Sequence, residues 1–281
     1  MHAKVTPQII QAYADVGAVR VPGAVSAQWV RDMATEIDSI IAGLRAGTAK
    51  LGTSDYGGAV QFEDHDGYVR LVNVYRHAPV MRALVEQSDC AEIVADVIGS
   101  DSMQPWTDGT FLKEGSAAET ATPWHNDECL FSLAGEHSPS MWIALTDIDR
   151  TNAPLQTLAR SNKDPHRYLS SWAKEDAKPS AVFHPWSELL DRVHAPDADI
   201  LTWEAKAGDM IVIHPKTIHS SLPRTADQTG RRLGFSLRWI GSDVRFEPNP
   251  TAKGALFQKP ELLHEGQPIP EAILPMVWKR R

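Results

Sequence analysis

The sequence predicts an all-β core, a sandwich or barrel, preceded by α-helices. Helical periodicity is confined to roughly the first hundred residues. After Gly99, short apolar runs separated by turn residues take over, which is an all-β pattern. Five of the nine tryptophans (Trp106, Trp124, Trp142, Trp203 and Trp239) fall in or beside those runs, where aromatic rings suit a half-buried pleated surface.

Thr6-Pro7 reads as a helix N-cap followed by proline at the first helical position, with Ile9, Ile10, Tyr13 and Ala14 at helical spacing and Gly17 as the stop. Ala18 to Val21 is a short strand ended by Pro22-Gly23. Ser26 caps a longer helix whose stripe is Trp29, Met33, Ile37, Ile40, Ile41 and Leu44. From Gly47 to Gly67, glycines and aspartates without periodicity indicate a loop, of a length often used as a lid or binding loop. Pro79 to Val85 and Ser88 to Ile98 are two further helices, the second closed by Gly99. The strand runs are Thr110 to Lys113, Met141 to Leu145, Ile200 to Trp203, Met210 to Ile213 and Leu233 to Ile240. Between them, Asp164 to Ala198 is polar and interrupted by prolines, so it should pack outside the barrel as helix and loop. With no internal repeat and no linker, residues 1–281 read as a single domain. Its helical part spans about 1–100 and its β core about 101–245, followed by a C-terminal extension.

A net charge of −8 argues against nucleic acid as a partner, because phosphate neutralisation needs a basic surface. Two cysteines, Cys90 and Cys129, make no disulfide framework and point to a reducing compartment. The polar N-terminus has no signal-peptide apolar region, and no run approaches the ~20 apolar residues of a membrane span. The expectation is a soluble cytoplasmic protein with a small-molecule substrate and no nucleic-acid or membrane partner. A homo-oligomer is compatible with the sequence, which does not fix the oligomeric state.

The chemistry concentrates in Thr122-Pro123-Trp124-His125-Asn126-Asp127 and in a distant histidine. On an extended strand, residues two apart share a face, so His125 and Asp127 can reach one ion, with Asn126 opposite. Two histidines and one carboxylate form the facial triad that holds Fe(II) and leaves the remaining positions open. Gly208-Asp209 opens a turn into the apolar strand Met210 to Ile213, and Pro215-Lys216-Thr217 forms a turn before His219. His219 is preferred as the third ligand because Ser220-Ser221 and a strand carrying Arg231 and Arg232 follow it; His214 is the fallback. An isolated His-x-Asp is weak evidence, as the neighbours His65-Asp66 and Asp164-x-His166 illustrate. The Gly-Asp strand, the third donor and the downstream arginine, which a bound 2-oxoacid carboxylate needs, make the combination specific.

With these motifs in place, the chain resembles the phytanoyl-CoA dioxygenase family of Fe(II)/2-oxoglutarate oxygenases over most of its length. Ala14-Asp15-Val16-Gly17-Ala18-Val19-Arg20-Val21-Pro22-Gly23 looks like the family's start, and Phe111-Leu112-Lys113-Glu114 with Pro123 to Asp127 looks like its first metal strand. Met141 to Asp147 and Asn152-Ala153-Pro154-Leu155 resemble the next strand and turn. Gly208-Asp209 through His219-Ser220, then Arg232 to Trp239, resemble the last metal and co-substrate strands. The resemblance implies a double-stranded β-helix (a cupin-like jelly roll) with flanking N-terminal helices and a metal held by His125, Asp127 and His219. It also implies 2-oxoglutarate bound by Arg232, one residue from Arg231, with Lys113 and Trp142 assisting. Two departures fall on the substrate side: Leu158-Ala159-Arg160-Ser161-Asn162 stands where the family has Gly-Ser-His, and Pro223-Arg224 lies where an asparagine often follows the distal histidine.

The implied reaction uses Fe(II), 2-oxoglutarate and O2 to oxidise an unactivated C–H of a small metabolite or natural-product intermediate, releasing succinate and CO2. Halogenating relatives replace the carboxylate by a small residue. Here Asp127 is present, which favours hydroxylation, while desaturation, epimerisation and ring closure begin with the same hydrogen abstraction. A cupin-like isomerase or lyase would use the same ligands without 2-oxoglutarate, and a jelly-roll binding module would need neither. Trp142 has a second reading as a core aromatic, Lys113 as a solvated side chain and Cys129 as a small buried hydrophobe. Arg70 and Arg76, in phase with Val72 and Val74, fit ordinary ion pairing better than receipt of an anionic substrate.

Overall fold

In the computed structural model, residues 1–50, 52, 60–114, 121–171, 182–225, 230–249 and 259–281 are described. Helix α1 (Pro7–Val16) starts where the Thr6 hydroxyl accepts from the Ile9 amide at 3.4 Å and stops at left-handed Gly17 (φ 87°). Gly17 is required there, because a Cβ would meet Thr217 Oγ1 at 2.3 Å. Strand β1 (Ala18–Val21) leads to α2 (Ala27–Arg45), capped by Ser26 on the Trp29 amide, with Val30, Met33, Ile37 and Ile41 buried. Strands β2 (Gln61–His65) and β3 (Tyr68–Val72) then form a hairpin.

That hairpin corrects the expected loop over residues 47–67 at its C-terminal end. Asp66 (φ 48°) and Gly67 (φ 77°) both take positive φ, as a two-residue Asp-Gly hairpin turn requires. The signal was in the dipeptide; strand residues Gln61 to His65 are mostly exposed and carry no apolar alternation to announce themselves. Leu51 and residues 53–59 of that loop lie outside the described residues.

Helices α3 (Pro79–Gln87) and α4 (Cys90–Ile98) precede β4 (Ser102–Lys113). The expected strand at 110–113 is therefore only the end of a longer one. Pro105 and a register shift against the partner strand break up the pattern upstream. The remaining strands are β5 (Thr122–His125), β6 (Leu133–Ala134), β7 (Ser140–Ala144), β8 (Leu155–Leu158), β9 (Arg167–Tyr168) and β10 (Phe183–His184). After α5 (Trp186–Val193) come β11 (Ile200–Trp203), β12 (Met210–Ile213), β13 (His219–Ser221), β14 (Arg232–Gly241), β15 (Arg245–Phe246) and β16 (Trp278–Lys279). Residues 164–198 therefore hold α5 and a small β9–β10 pair where they are described; residues 172–181 are not.

The large sheet runs β1-β12-β7-β14-β4-β3-β2, with β16 pairing β4; the small one runs β11-β8-β13-β5. Alternation sorts the large sheet's two faces. Met141, Ile143, Met210, Val212, Leu233, Phe235 and Leu237 join the helical layer in the main core. Trp142, Ala144, Ile211 and Ile213 point the other way and pack with Leu155 of the small sheet. This is the expected jelly roll, with helices on its outer face. The C-terminal residues Ile269, Ile273 and Leu274 close a further cluster with Trp106, Leu133 and Ile240. None of the described helices is long and apolar enough to cross a membrane.

Candidate active site

Strands β5 and β13 are antiparallel neighbours in the small sheet, with His125 directly opposite His219. Their ring centroids lie 4.1 Å apart. His125 ends its strand; Asp127 stands in the following turn, not on the strand as the i, i+2 reading assumed. The chain leaves the sheet because the amides of Asp127 and Glu128 both donate to the Pro215 carbonyl at 3.1 Å. That pair of bonds ties the Asp127 turn to the Pro215-Lys216-Thr217 turn, which delivers His219. One ligand atom from each of His125, Asp127 and His219 lies within 4.8 Å of the others, and all three residues are buried. Among the described residues this is the one group of three or more such side chains that could hold a metal ion.

Second contacts set which imidazole nitrogen is free. His125 Nδ1 lies 2.8 Å from the Pro123 carbonyl and His219 Nδ1 lies 2.8 Å from the Thr217 carbonyl. A carbonyl only accepts, so each Nδ1 carries the proton and each Nε2 keeps a lone pair for an ion. Burial, reinforced by the neighbouring His219, pushes the His125 pKa down to about 3, so its imidazole is neutral at physiological pH. For Asp127 burial works against ionisation, but Arg238 and the two imidazoles outweigh it and hold the carboxyl below the usual carboxylate range. Two neutral imidazoles and one carboxylate are already in the protonation states that metal binding requires.

Arg232 and Lys113 lie opposite each other across the β14–β4 ladder, both fully buried. Lys113 Nζ donates to Ser221 Oγ at 2.6 Å, so this lysine is not solvated. Burial and the adjacent guanidinium push its pKa down to about 6, while burial brings Arg232 down to about 10. Among the described residues, Arg232 Nε and Nη2 have no hydrogen-bond partner. Buried donors without partners are rare in folded proteins, and a guanidinium fork left open in this way fits a carboxylate. The guanidinium carbon sits 4.6 Å from the centre of the Trp142 ring. Gly234 makes room for that ring, since a Cβ there would meet Trp142 Cζ2 at 2.3 Å.

The alternatives separate cleanly. Arg231 forms a two-point ion pair with Asp38 of α2, at 2.5 and 2.9 Å, on the outside of the sheet. His214 contacts Glu136 through Nε2 at 2.8 Å and accepts from the Lys216 amide through Nδ1, away from the triad. Arg70 pairs with Glu63 across the hairpin at 2.7 Å, and Arg76 lies over the Tyr75 ring. Both cysteines are free, and burial pushes Cys129 up to about 12. Two residues escaped the sequence reading: Arg238 Nη2 donates to Asp127 Oδ1 at 2.6 Å, and Ser140 Oγ donates to Oδ2 at 2.5 Å. The signal for Arg238 was its phase, six residues after Arg232 and so on the same face of one strand.

A jelly roll with two imidazoles and a carboxylate converging at one place, and a buried guanidinium–ammonium pair on the large sheet's inner face, defines a non-haem-iron oxygenase of the two-histidine, one-carboxylate class. The chain belongs to the phytanoyl-CoA dioxygenase (PhyH) family, whose sequence profile matches residues 13–233. No curated protein matches the sequence. Among solved structures, it is similar to the non-heme alpha-ketoglutarate-dependent epimerase SnoN from nogalamycin biosynthesis, at 17% identity and a TM-score of 0.67, covering 97% of this chain and 98% of that one. The carbocyclase SnoK from the same biosynthesis gives 17% identity and 0.68, covering 98% and 97%. EctD from S. alaskensis with bound Fe gives 16% and 0.68, covering 95% and 86%. At these identities the likeness establishes the shared fold. The expected fold, family and enzyme class stand.

Proposed function

We propose that the protein is an Fe(II)- and 2-oxoglutarate-dependent dioxygenase that hydroxylates an unactivated C–H of a small metabolite or natural-product intermediate. The observation that carries this is the pairing of a buried His125–Asp127–His219 donor set with the open guanidinium of Arg232 on the same inner face. His125 Nε2, His219 Nε2 and Asp127 hold the iron. The iron, with 2-oxoglutarate and O2, supplies the oxidation of the C–H and the conversion of the co-substrate to succinate and CO2. Arg232 and Lys113 receive the co-substrate's far carboxylate, and Trp142 keeps water from it. An isomerase or lyase working without 2-oxoglutarate would leave that buried cationic pair with nothing to neutralise. The structurally similar proteins include an epimerase and a carbocyclase, so those outcomes of the same hydrogen abstraction are the second reading.

Purified protein should form succinate from 2-oxoglutarate only with Fe(II) present, and His125→Ala should reduce the rate to background. Iron-independent turnover, or full activity in His125→Ala, contradicts the assignment.

A pH dependence follows from Lys113. With a pKa near 6 in the free site, it is mostly neutral at pH 7.5. An arriving carboxylate favours the ammonium form, so binding takes up a proton. Affinity for 2-oxoglutarate should therefore fall as pH rises above 6, by up to about tenfold per unit until the raised pKa of the bound state is reached. Calorimetry at pH 7.5 in two buffers of different ionisation enthalpy should report the uptake, and Lys113→Met should remove it. Equal heats in both buffers for the parent protein count against this linkage.

A further inference from the structure

Arg238 contacts neither the imidazoles nor the expected place of the co-substrate's far carboxylate, which lies about 20 Å along the strand at Arg232. It has a different partner. Its Nη2 donates to Asp127 Oδ1, the oxygen that stands 3.9 Å from His125 Nε2. The other oxygen, Oδ2, accepts from Ser140 Oγ. Ser140 and Arg238 are register partners on β7 and β14, so one rung of the large sheet reaches across to hold both oxygens of a carboxylate that belongs to the loop after β5. The guanidinium is held in its turn: its carbon lies 5.0 Å from the centre of the Phe131 ring, which packs edge-on against Trp106 at 4.6 Å. The Asn249 amide fixes the same loop by donating to the carbonyls of Cys129 and Phe131.

We propose that Arg238 and Ser140 are positioning residues that lock Asp127 as a one-oxygen metal ligand. This rests on the metal assignment made above. Turning the carboxylate to chelate an ion through both oxygens would pull Oδ2 off Ser140 Oγ and break a buried hydrogen bond, leaving a hydroxyl unsatisfied. Held as it is, Oδ1 offers one remaining lone-pair direction to the ion while Arg238 occupies another. A facial triad needs three vacant positions for the bidentate co-substrate and O2, and a two-oxygen carboxylate would consume one of them. Arg238 also balances the carboxylate's charge where the side chain is 3% exposed, so Asp127 stays ionised and oriented before any ion arrives.

The test is Co(II) titration of the metal-free full chain, followed by visible absorption, for the parent protein and for Arg238→Met, Arg238→Lys and Ser140→Ala. Outer-shell partners of metal ligands typically contribute 10- to 100-fold in affinity. Arg238→Met should weaken Co(II) binding by about that factor and change the ligand-field spectrum, because the released carboxylate is free to chelate. Arg238→Lys, which keeps a cationic donor, should recover most of the affinity and the parent spectrum. Ser140→Ala should alter the spectrum in the same direction as Arg238→Met. Should Arg238→Met fail to fold, the Lys and Ser140→Ala variants still decide the matter. Parent-like affinity and spectrum in Arg238→Met overturn the proposal, and so does a loss of thermal stability with an unchanged spectrum, which marks a structural contact only. If the parent protein binds no Co(II), the metal assignment itself has failed.

Discussion

His219→Ala should abolish divalent-metal binding and, with it, succinate formation. The residue contributes one of only three donors, and its imidazole is prepared for the role by the bond from Nδ1 to the Thr217 carbonyl. Losing a ligand outright should cost more than losing a supporting partner, so affinity for Co(II) should drop by well over about 100-fold. The fold should survive, because β13 is paired on both sides, with β5 and with β8, through its backbone. His214→Ala is the informative control. That side chain is engaged with Glu136 and the Lys216 amide, so its removal should leave the metal titration unchanged. Calorimetric or spectroscopic titration of both variants separates the two histidines. Retained binding in His219→Ala together with lost binding in His214→Ala would reverse the assignment.

Arg232→Ala should raise the 2-oxoglutarate concentration needed for half-maximal rate while leaving metal binding intact. A buried charge pair truncated on one side commonly costs 2–5 kcal/mol, which corresponds to roughly 30- to several-thousand-fold in affinity. Part of that cost will be recovered here, because Lys113 remains beside the carboxylate site and escapes the repulsion of a second cation, so the lower end is expected. The variant also removes the guanidinium from the Trp142 face, which is a packing loss independent of the co-substrate. Arg231→Ala is the matched comparison. It breaks a half-exposed ion pair with Asp38, and such pairs contribute little, so the co-substrate requirement should not move. Steady-state rates over a range of 2-oxoglutarate concentrations distinguish the outcomes; equal effects of the two substitutions would dissociate Arg232 from the co-substrate.

Much of this was legible in the linear chain, and the parts that were not share a cause. The helix caps at Thr6 and Ser26, the stop at Gly17 and the donor types around His125 and Asp127 are encoded within three or four residues, where spacing alone dictates which groups can meet. The apolar runs likewise gave strands their two faces. What the chain could not supply was parity and register. Arg231 and Arg232 differ only in which faces inward, and the pairing of β14 with β4 and β7 decides that. His214 and His219 are equally plausible donors until the Pro215 turn is seen to bind the Asp127 loop and set His219 opposite His125. Arg238 and Ser140 lie 98 residues apart in sequence, yet face one carboxylate as partners on a single rung. Local chemistry is written in neighbours along the chain, whereas a site assembled from four strands depends on long-range hydrogen-bond ladders that no short window contains.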